Sequence, residues 1–231
     1  DSRFTQEEAR LLDLCLVIHA EHGGGNNSAF TCRVLSSSGT DTYSAIAAAV
    51  GSLKGPKHGG ANQRVSAMFD EIKQHVRDWN DDEELSAYLE KILRKEAGDG
   101  SGLIYGMGHA IYTRSDPRAL VLKHNARSLA EKTGLLKELE LLESIERLSP
   151  EVFARVTGSD KVMCANVDFY SGLVYRMLNI PEDLFTPLFA VARIAGWCAH
   201  RIEEVMTSSR IIRPAYKSLS TSRPYVPMGK R

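Results

Sequence analysis

The sequence predicts an all-α fold. Apolar residues recur at spacings of three and four along most of the 231 residues, as they do on one face of a helix. Alternation with a period of two, which marks a half-buried strand, is confined to short pieces at 103–105 and 111–112. Hydrophobic residues make up 43% of the chain, which is enough to fill a sizeable core.

The first half of the chain begins with a well-marked helix. Thr5 can cap it and Glu8 stands three residues later, as in a capping box. An apolar-rich run follows, so this helix should end near His19. A second helix is expected at about 42–53, where alanines dominate, and a third begins at Asn62.

The second half of the chain is also predicted to be helical, with helical spacing at 85–93 and through much of 117–148. The segment 182–206 is apolar on most sides, which predicts a buried helix. Arg193 interrupts this segment, and a buried guanidinium is costly without an anionic partner. Arg193 is therefore a candidate for binding an anion.

Composition limits the class of protein. Lys+Arg and Asp+Glu both number 29, so nothing in the overall charge favours a nucleic-acid or membrane surface. No apolar run approaches the roughly 20 residues that span a bilayer, and no signal peptide is recognisable. The cysteines form no CxxC pair and no metal-like spacing, so we expect free thiols, no metal and a cytoplasmic location. They are Cys15, Cys32, Cys164 and Cys198.

A histidine stands inside the glycine-rich loop at 52–62, directly before a predicted helix. Glycines and lysines at the start of a helix suggest a phosphate cradle, but the P-loop spacing is absent because Lys57 is followed by His58. A dinucleotide fingerprint at 106–111 also fails, because Ile111 stands where a glycine is needed. Nucleotide hydrolysis and hydride transfer both lose support.

Three loops combine a histidine with neighbouring glycines, at 19–28, 52–62 and 106–118. Glycine lets a ligand approach the backbone closely and can aim a neighbouring side chain. A solvated histidine is the commoner case for any one loop, but three such loops favour a site with acid-base chemistry.

Other polar residues leave two interpretations open. Asp168, in the segment 166–172, can cap the helix that follows or supply a functional carboxylate. Arg118 can lie on a solvated helix face, and Arg213 can be ordinary surface.

Five ordered segments together resemble the citrate synthase family, which includes the 2-methylcitrate synthases. They are 54–62 (KGPKHGGAN), 106–119 (GMGHAIYTRSDPRA), 166–172 (NVDFYSG), 193–200 (RIAGWCAH) and 212–214 (IRP). Any one segment alone is a weak signal, whereas five in order across most of the chain are specific. The sequence departs from the family at 161–165, where a tyrosine-proline pair commonly precedes NVD. The glycine-rich stretch after His22 leaves open whether Asn26 or Asn27 matches the family's asparagine.

The resemblance implies a small domain plus the C-terminal part of a large helical domain. Residues 1–60 would be a large-domain segment, 61–172 the small domain on the CoA side, and 173–231 the C-terminal helix and tail of the large domain. The chain starts at Asp1 rather than at a methionine and lacks the family's N-terminal helices, so we expect a piece of a longer protein. Apolar surface left uncovered would favour association with another chain.

The resemblance also implies a reaction, the one that feeds the tricarboxylic acid cycle. An acyl-CoA, acetyl-CoA or propionyl-CoA, condenses with oxaloacetate, and hydrolysis of the thioester then releases citrate or 2-methylcitrate and CoA. CoA is a co-substrate, and no bound cofactor or metal is implied. In the family roles, His58 would stabilise the enolate oxygen, Asp168 would remove the methyl proton and His109 would polarise the ketone of oxaloacetate.

The resemblance further implies a homodimer and a set of substrate-binding residues. Arg213 would reach across the interface into the partner subunit's site. Oxaloacetate would be bound by His22, Arg118, Arg193 and Arg213, and CoA phosphates by Lys54 and Arg114.

The physical chemistry agrees with these roles. A carboxylate can deprotonate a methyl group next to a thioester only if a fixed donor meets the charge that appears on the thioester oxygen. His58 precedes a helix start, where the positive dipole end disfavours the imidazolium, so we expect a neutral, hydrogen-bond-donating His58. Two alternatives stay open: a non-catalytic relative that binds CoA and a dicarboxylate, and a citryl-CoA-type lyase. Having His58, His109 and Asp168 together favours an enzyme.

Overall fold

A computed structural model describes residues 3–108, 112, 114–159, 161–207, 210–215, 217, 219, 221 and 224–230. These residues form nine α-helices and no strand, which confirms the all-α prediction. The helices are α1 (Gln6–His19), α2 (Asn27–Ser37), α3 (Thr42–Leu53), α4 (Ala61–His75), α5 (Asp82–Leu93), α6 (Pro117–Thr133), α7 (Leu136–Thr157), α8 (Val167–Met177) and α9 (Phe185–Thr207). Short 3-10 turns lie at Glu182–Leu184 and Met228–Lys230. No described helix is long and apolar enough to cross a membrane.

Local chemistry fixes the ends of several helices. The capping box of α1 is present, with Thr5 Oγ1 accepting from the Glu8 N–H at 3.2 Å and the Glu8 carboxylate accepting from the Thr5 N–H at 2.6 Å. Gly134 and Gly158 end α6 and α7 in the left-handed conformation, which suits glycine. The predicted helical run at 117–148 is therefore two helices that meet at Gly134.

Helix α2 was not predicted as a helix. Its buried face consists of the small residues Ser28, Ala29, Cys32 and Ser36 rather than of large apolar ones. A hydrophobic pattern search finds little signal in such a segment. Small side chains instead let α2 approach its neighbours closely.

The short stretches of period-two alternation do not change the all-α result. Residues 103–105 form no strand, and Met107 pairs with Ala165 in an isolated antiparallel bridge. Ile111, in the second stretch, lies outside the described residues.

The buried apolar residues form two clusters. The larger one joins α1 with α4, α5, α6, α7 and α8. The smaller one packs α2, α3 and α9 around the fully buried Trp197, and its other members are Ala29, Cys32, Ala45, Ala49 and Leu53. The division of the chain into domains at residues 60 and 172 stays a prediction.

The prediction that 182–206 is buried on most sides is wrong for this chain. Helix α9 buries one stripe, which includes Arg193 and Trp197, against α1, α2, α3 and α4. Its opposite side is exposed, with Val191 at 64% and Met206 at 79%. Apolar composition shows that a helix can be covered on several sides, but it does not show that the covering elements are present.

Candidate active site

A cavity of about 540 Å³ lies where the turn after α1, the loop before α4, the start of α8 and the middle of α9 meet. This size suits a small-molecule site. The described residues that line it are His22, Gly23, Gly25, Asn26, Lys57, His58, Ala61, Gly108, Arg118, Asn166, Val167, Asp168, Phe189 and Arg193. Five of the nine predicted site residues thus converge on one cavity.

His58 is half-buried in this cavity and contacts a residue that the sequence analysis did not select. Its Nε2 lies 3.0 Å from Oγ of Ser28, which is fully buried at the start of α2. Trp197 also donates from Nε1 to Ser28 Oγ, at 3.2 Å. Burial, together with the nearby Arg193 guanidinium, lowers the pKa of His58. A neutral imidazole is therefore favoured at neutral pH.

The glycine after His58 lets its loop pack tightly. A Cβ on Gly59 would lie 2.5 Å from the Leu53 carbonyl oxygen and 2.9 Å from Cγ2 of Thr186. The Gly59 N–H donates to that Leu53 oxygen at 2.7 Å, and Thr186 donates to the Gly59 carbonyl at 2.9 Å. The loop is thus fixed to the end of α3 and the start of α9, and His58 with it.

Asp168 lies in the first turn of α8, but it does not cap the helix. Asn166 takes that position, and its Oδ1 accepts from the Asp168 N–H at 3.0 Å. The Asn166 Nδ2 donates to the Gly108 carbonyl at 3.2 Å, which joins this turn to the third histidine loop. Burial raises the pKa of Asp168 to about 6, against the opposing effect of Arg118 and Arg193. This carboxylate has the properties of a general base that works near neutral pH.

Arg193 is a buried cation without a carboxylate partner among the described residues. It is 1% exposed, and burial lowers its pKa to about 10. Its Nε donates to the His19 carbonyl at 2.5 Å and its Nη1 to Asn26 Oδ1 at 3.2 Å, while the guanidinium lies over the Phe189 ring. A buried guanidinium held by neutral oxygens favours an anionic ligand.

Arg118 differs because its charge is already balanced. Its Nε and Nη2 donate to the two carboxylate oxygens of Asp116 at 3.0 and 2.8 Å. The Asp116 side chain is fully buried and also accepts from the Arg118 N–H at the start of α6. The bidentate pair sets the direction of the guanidinium, which lines the cavity.

Four expected site residues are not placed in the cavity. His109 lies outside the described residues. Arg213 is exposed, as are Lys54 and Arg114, and none of these three lines the cavity. A different basic residue, Lys57, does line it.

Sequence reasoning also missed the polar residues that hold the site together. Asn26 Oδ1 accepts a hydrogen bond from Arg193 and lies 3.0 Å from Ser28 Oγ, so it is Asn26, rather than Asn27, that takes part in the site. Ser28 and Trp197 lie within segments that were singled out for other residues. The only available signal was their presence in those segments. No group of three metal-binding side chains was found in the part of the chain that the structure describes.

Comparison with known proteins places this geometry in a family. Residues 1–215 match the family model for the citrate synthase C-terminal domain. A citrate synthase from Synechocystis sp. is 42% identical over 96% of this chain and 52% of its own length. A 2-methylcitrate synthase from Shewanella oneidensis is 36% identical over 96% of this chain and 54% of its own length.

A solved structure gives the same result for the fold. The citrate synthase from Thermoplasma acidophilum, in ternary complex with carboxymethyl coenzyme A and oxaloacetate, is 30% identical with a TM-score of 0.77. The match covers 99% of this chain and 57% of that one. The chain therefore spans about half the length of the curated relatives it matches. The chain belongs to the citrate synthase family.

Proposed function

We propose that this chain carries the acid-base residues of an acyltransferase that condenses an acyl-CoA with oxaloacetate and hydrolyses the thioester. The observation that carries the proposal is the convergence of Asp168, His58 and Arg193 on one cavity. Asp168 combines burial with a raised pKa, His58 has a lowered pKa that favours the neutral imidazole, and Arg193 is a buried cation without a carboxylate partner among the described residues. These are a base, a hydrogen-bond donor and an anion site.

Oxaloacetate would bind through its two carboxylates. Arg193 and Arg118 supply planar guanidinium donors, and His22 lines the same cavity from the turn after α1. The Thermoplasma relative is described as a complex with oxaloacetate, which supports this choice of ligand. We assign polarisation of the ketone to His109 on the resemblance alone.

The carbon-carbon bond would form in two steps. Asp168 takes a proton from the carbon next to the thioester, and His58 donates a hydrogen bond to the oxygen on which the negative charge appears. The resulting carbon nucleophile attacks the ketone carbon of oxaloacetate, and the ketone oxygen takes a proton from His109, the residue assigned to this ketone on the resemblance, while the proton removed from the methyl carbon stays on Asp168. Water then cleaves the thioester and releases CoA. Exclusion of bulk water until condensation is complete would prevent wasteful hydrolysis.

The remaining assignments concern CoA, subunits and location. Lys54 and Arg114 are exposed and lie off the cavity, so they remain candidates for the CoA phosphates, which extend beyond the reacting thioester. We propose a homodimer in which Arg213 enters the site of the partner subunit. The four cysteines are free, which agrees with a reducing cytoplasm.

The acyl group is left between acetyl and propionyl, because the two differ by one methylene, worth about 1–3 kcal/mol in a pocket. The test is CoA release from this chain with oxaloacetate and each acyl-CoA in parallel, with the product identified by mass. Asp168→Asn should lower kcat by about 10²–10⁴-fold, the usual contribution of general-base catalysis. Normal turnover by that variant would contradict the assignment of the base. Oxaloacetate binding without turnover would favour the non-catalytic relative, and cleavage of citryl-CoA without condensation would favour the lyase.

A further inference from the structure

Glu21 bridges the turn that carries His22 and the long helix α9. Its Oε1 accepts a hydrogen bond from the His22 N–H at 2.8 Å and another from the Gly23 N–H. Its Oε2 lies 2.9 Å from Nε2 of His200 on α9. One carboxylate therefore contacts both the backbone of the turn and the helix beside it.

Other contacts between described residues also lie along this turn. Gly23 has a φ of +83°, and its carbonyl accepts from the Asn26 N–H at 3.1 Å. Gly24 packs against α9 and α2, since a Cβ there would lie 3.1 Å from Cε1 of His200 and 3.0 Å from Nη1 of Arg33. These contacts shape the turn, but neither of them holds the His22 N–H.

His200 belongs to a stripe of α9 residues that all face this turn. The stripe follows the helical spacing of three or four residues, so its members share one side of the helix. They are Arg193, the adjacent pair Gly196 and Trp197, and His200. Arg193 donates to the His19 carbonyl, and Trp197 donates to Ser28. His200 continues this docking surface to Glu21.

The inner end of this surface shows how closely helix and turn approach. A Cβ on Gly196 would lie 2.2 Å from the Ala20 carbonyl oxygen and 2.6 Å from Glu21 Oε2. There is little free space between α9 and the turn, so a displacement of the Glu21 carboxylate would also displace the backbone of the turn.

We infer that Glu21, which contacts His200 on α9, is a positioning residue that fixes His22 for binding of the dicarboxylate substrate. Glu21 does not line the cavity, so it acts through the backbone of His22 and not on the substrate itself. The inference rests on the proposed function where it concerns oxaloacetate. The acid-base residues His58 and Asp168 lie on other elements. Loss of Glu21 should therefore weaken substrate binding rather than slow proton transfer.

The test compares three variants of this chain. Glu21→Ala removes both hydrogen bonds to the turn, whereas Glu21→Gln keeps an oxygen that can accept them. Glu203→Ala is the matched control, because Glu203 is 65% exposed and lies 3.8 Å from the other ring nitrogen of the same His200. Two quantities are measured: hydrogen exchange at the His22 and Gly23 amides without ligand, and the Kd for oxaloacetate by calorimetry.

Glu21→Ala should raise the amide exchange rates and the Kd by about tenfold each, the loss expected for one charge-assisted hydrogen bond. Glu21→Gln should restore most of both values, and Glu203→Ala should match the unchanged chain. Exchange in Glu21→Ala equal to that in Glu203→Ala would overturn the inference, as would faster exchange with an unchanged Kd. If the unchanged chain binds no oxaloacetate, the proposed function fails, whereas the exchange measurement still decides the role of Glu21.

Discussion

The hydroxyl oxygen of Ser28 lies 3.0 Å from Nε2 of His58 and also 3.0 Å from Oδ1 of Asn26. Trp197 Nε1 can only donate, so it occupies one lone pair of Ser28 Oγ. The hydroxyl has a single proton for two acceptors. If Ser28 donates that proton to His58, a neutral His58 must carry its own proton on Nδ1, where it can donate to a substrate oxygen. Asn26 and His58 thus compete for the proton that decides which His58 tautomer forms.

Ser28→Ala should lower kcat about tenfold or more while changing the Kd for oxaloacetate much less. The variant removes the group that selects the tautomer of His58, and a histidine in the wrong tautomer cannot donate toward the thioester. Steady-state CoA release and calorimetry give the two quantities. Trp197→Phe is the control, because it removes the hydrogen bond that Trp197 Nε1 donates to Ser28 and leaves the Ser28 hydroxyl in place. Equal losses of kcat in both variants would point to general disruption of the core instead.

Asp168→Asn should stabilise the fold at neutral pH even though it removes the proposed base. Burial raises the pKa of Asp168 to about 6 from 3.8, so the folded state binds a proton more readily than the unfolded state between these values. The unfolding free energy therefore falls as pH rises from about 4 through 6. The ionised carboxylate costs at most about 3 kcal/mol above that range. Thermal unfolding at pH 4 and pH 7.5 should show similar Tm values for the two chains at the lower pH and a higher Tm for the variant at pH 7.5. A lower Tm of the variant at pH 7.5 would show that the attraction of Arg118 and Arg193 for the ionised carboxylate outweighs the cost of burying it.

The sequence predicted most helices and a subset of the site, for identifiable reasons. Helices with caps and large apolar stripes, such as α1 and α5, leave a periodic pattern. Helix α2 does not, because its buried residues are small. The exposure of Val191 on α9 could not be predicted, since composition shows apolar character and not which partners are present.

The same limit applies to the site residues: residue type within a local segment could be predicted, but contacts between distant segments could not. His58 and Asp168 stand out by residue type within recognisable segments, and both line the cavity. Lys57, which the sequence does not distinguish from the nearby Lys54, also lines the cavity, whereas the assignment of Lys54 to the CoA phosphates stays a prediction. Ser28 contacts Trp197, and Glu21 contacts His200. The two residues of each pair are more than 160 positions apart in the sequence, so no local pattern reveals these roles.

Gly196→Ala should be strongly destabilising, whereas Gly51→Ala should not. The new Cβ at position 196 would lie 2.2 Å from the Ala20 carbonyl oxygen, which is backbone and cannot move alone. Separating α9 from the turn should cost about 1–3 kcal/mol or more. Gly51 lies within α3 with open space around it, so alanine there should add about 0.5–1 kcal/mol through helix propensity. Urea unfolding of both variants measures the difference, and a Gly196→Ala protein as stable as the unchanged chain would contradict the close docking of α9.

Mixing two inactive variants tests whether Arg213 serves the partner subunit. Arg213 is exposed and lies outside the cavity, so its assigned contact with oxaloacetate requires a second copy of the chain. Asp168→Asn and Arg213→Ala should each be nearly inactive alone. In a mixed dimer, the subunit that keeps Asp168 would receive Arg213 from its partner, so one of the two sites is complete. Free exchange of subunits makes about half the dimers mixed, which predicts recovery of about a quarter of the original activity. Recovery should follow the time course of subunit exchange, measured with two labelled chains. An inactive mixture of chains that do exchange would place Arg213 in its own subunit's site or outside the site altogether.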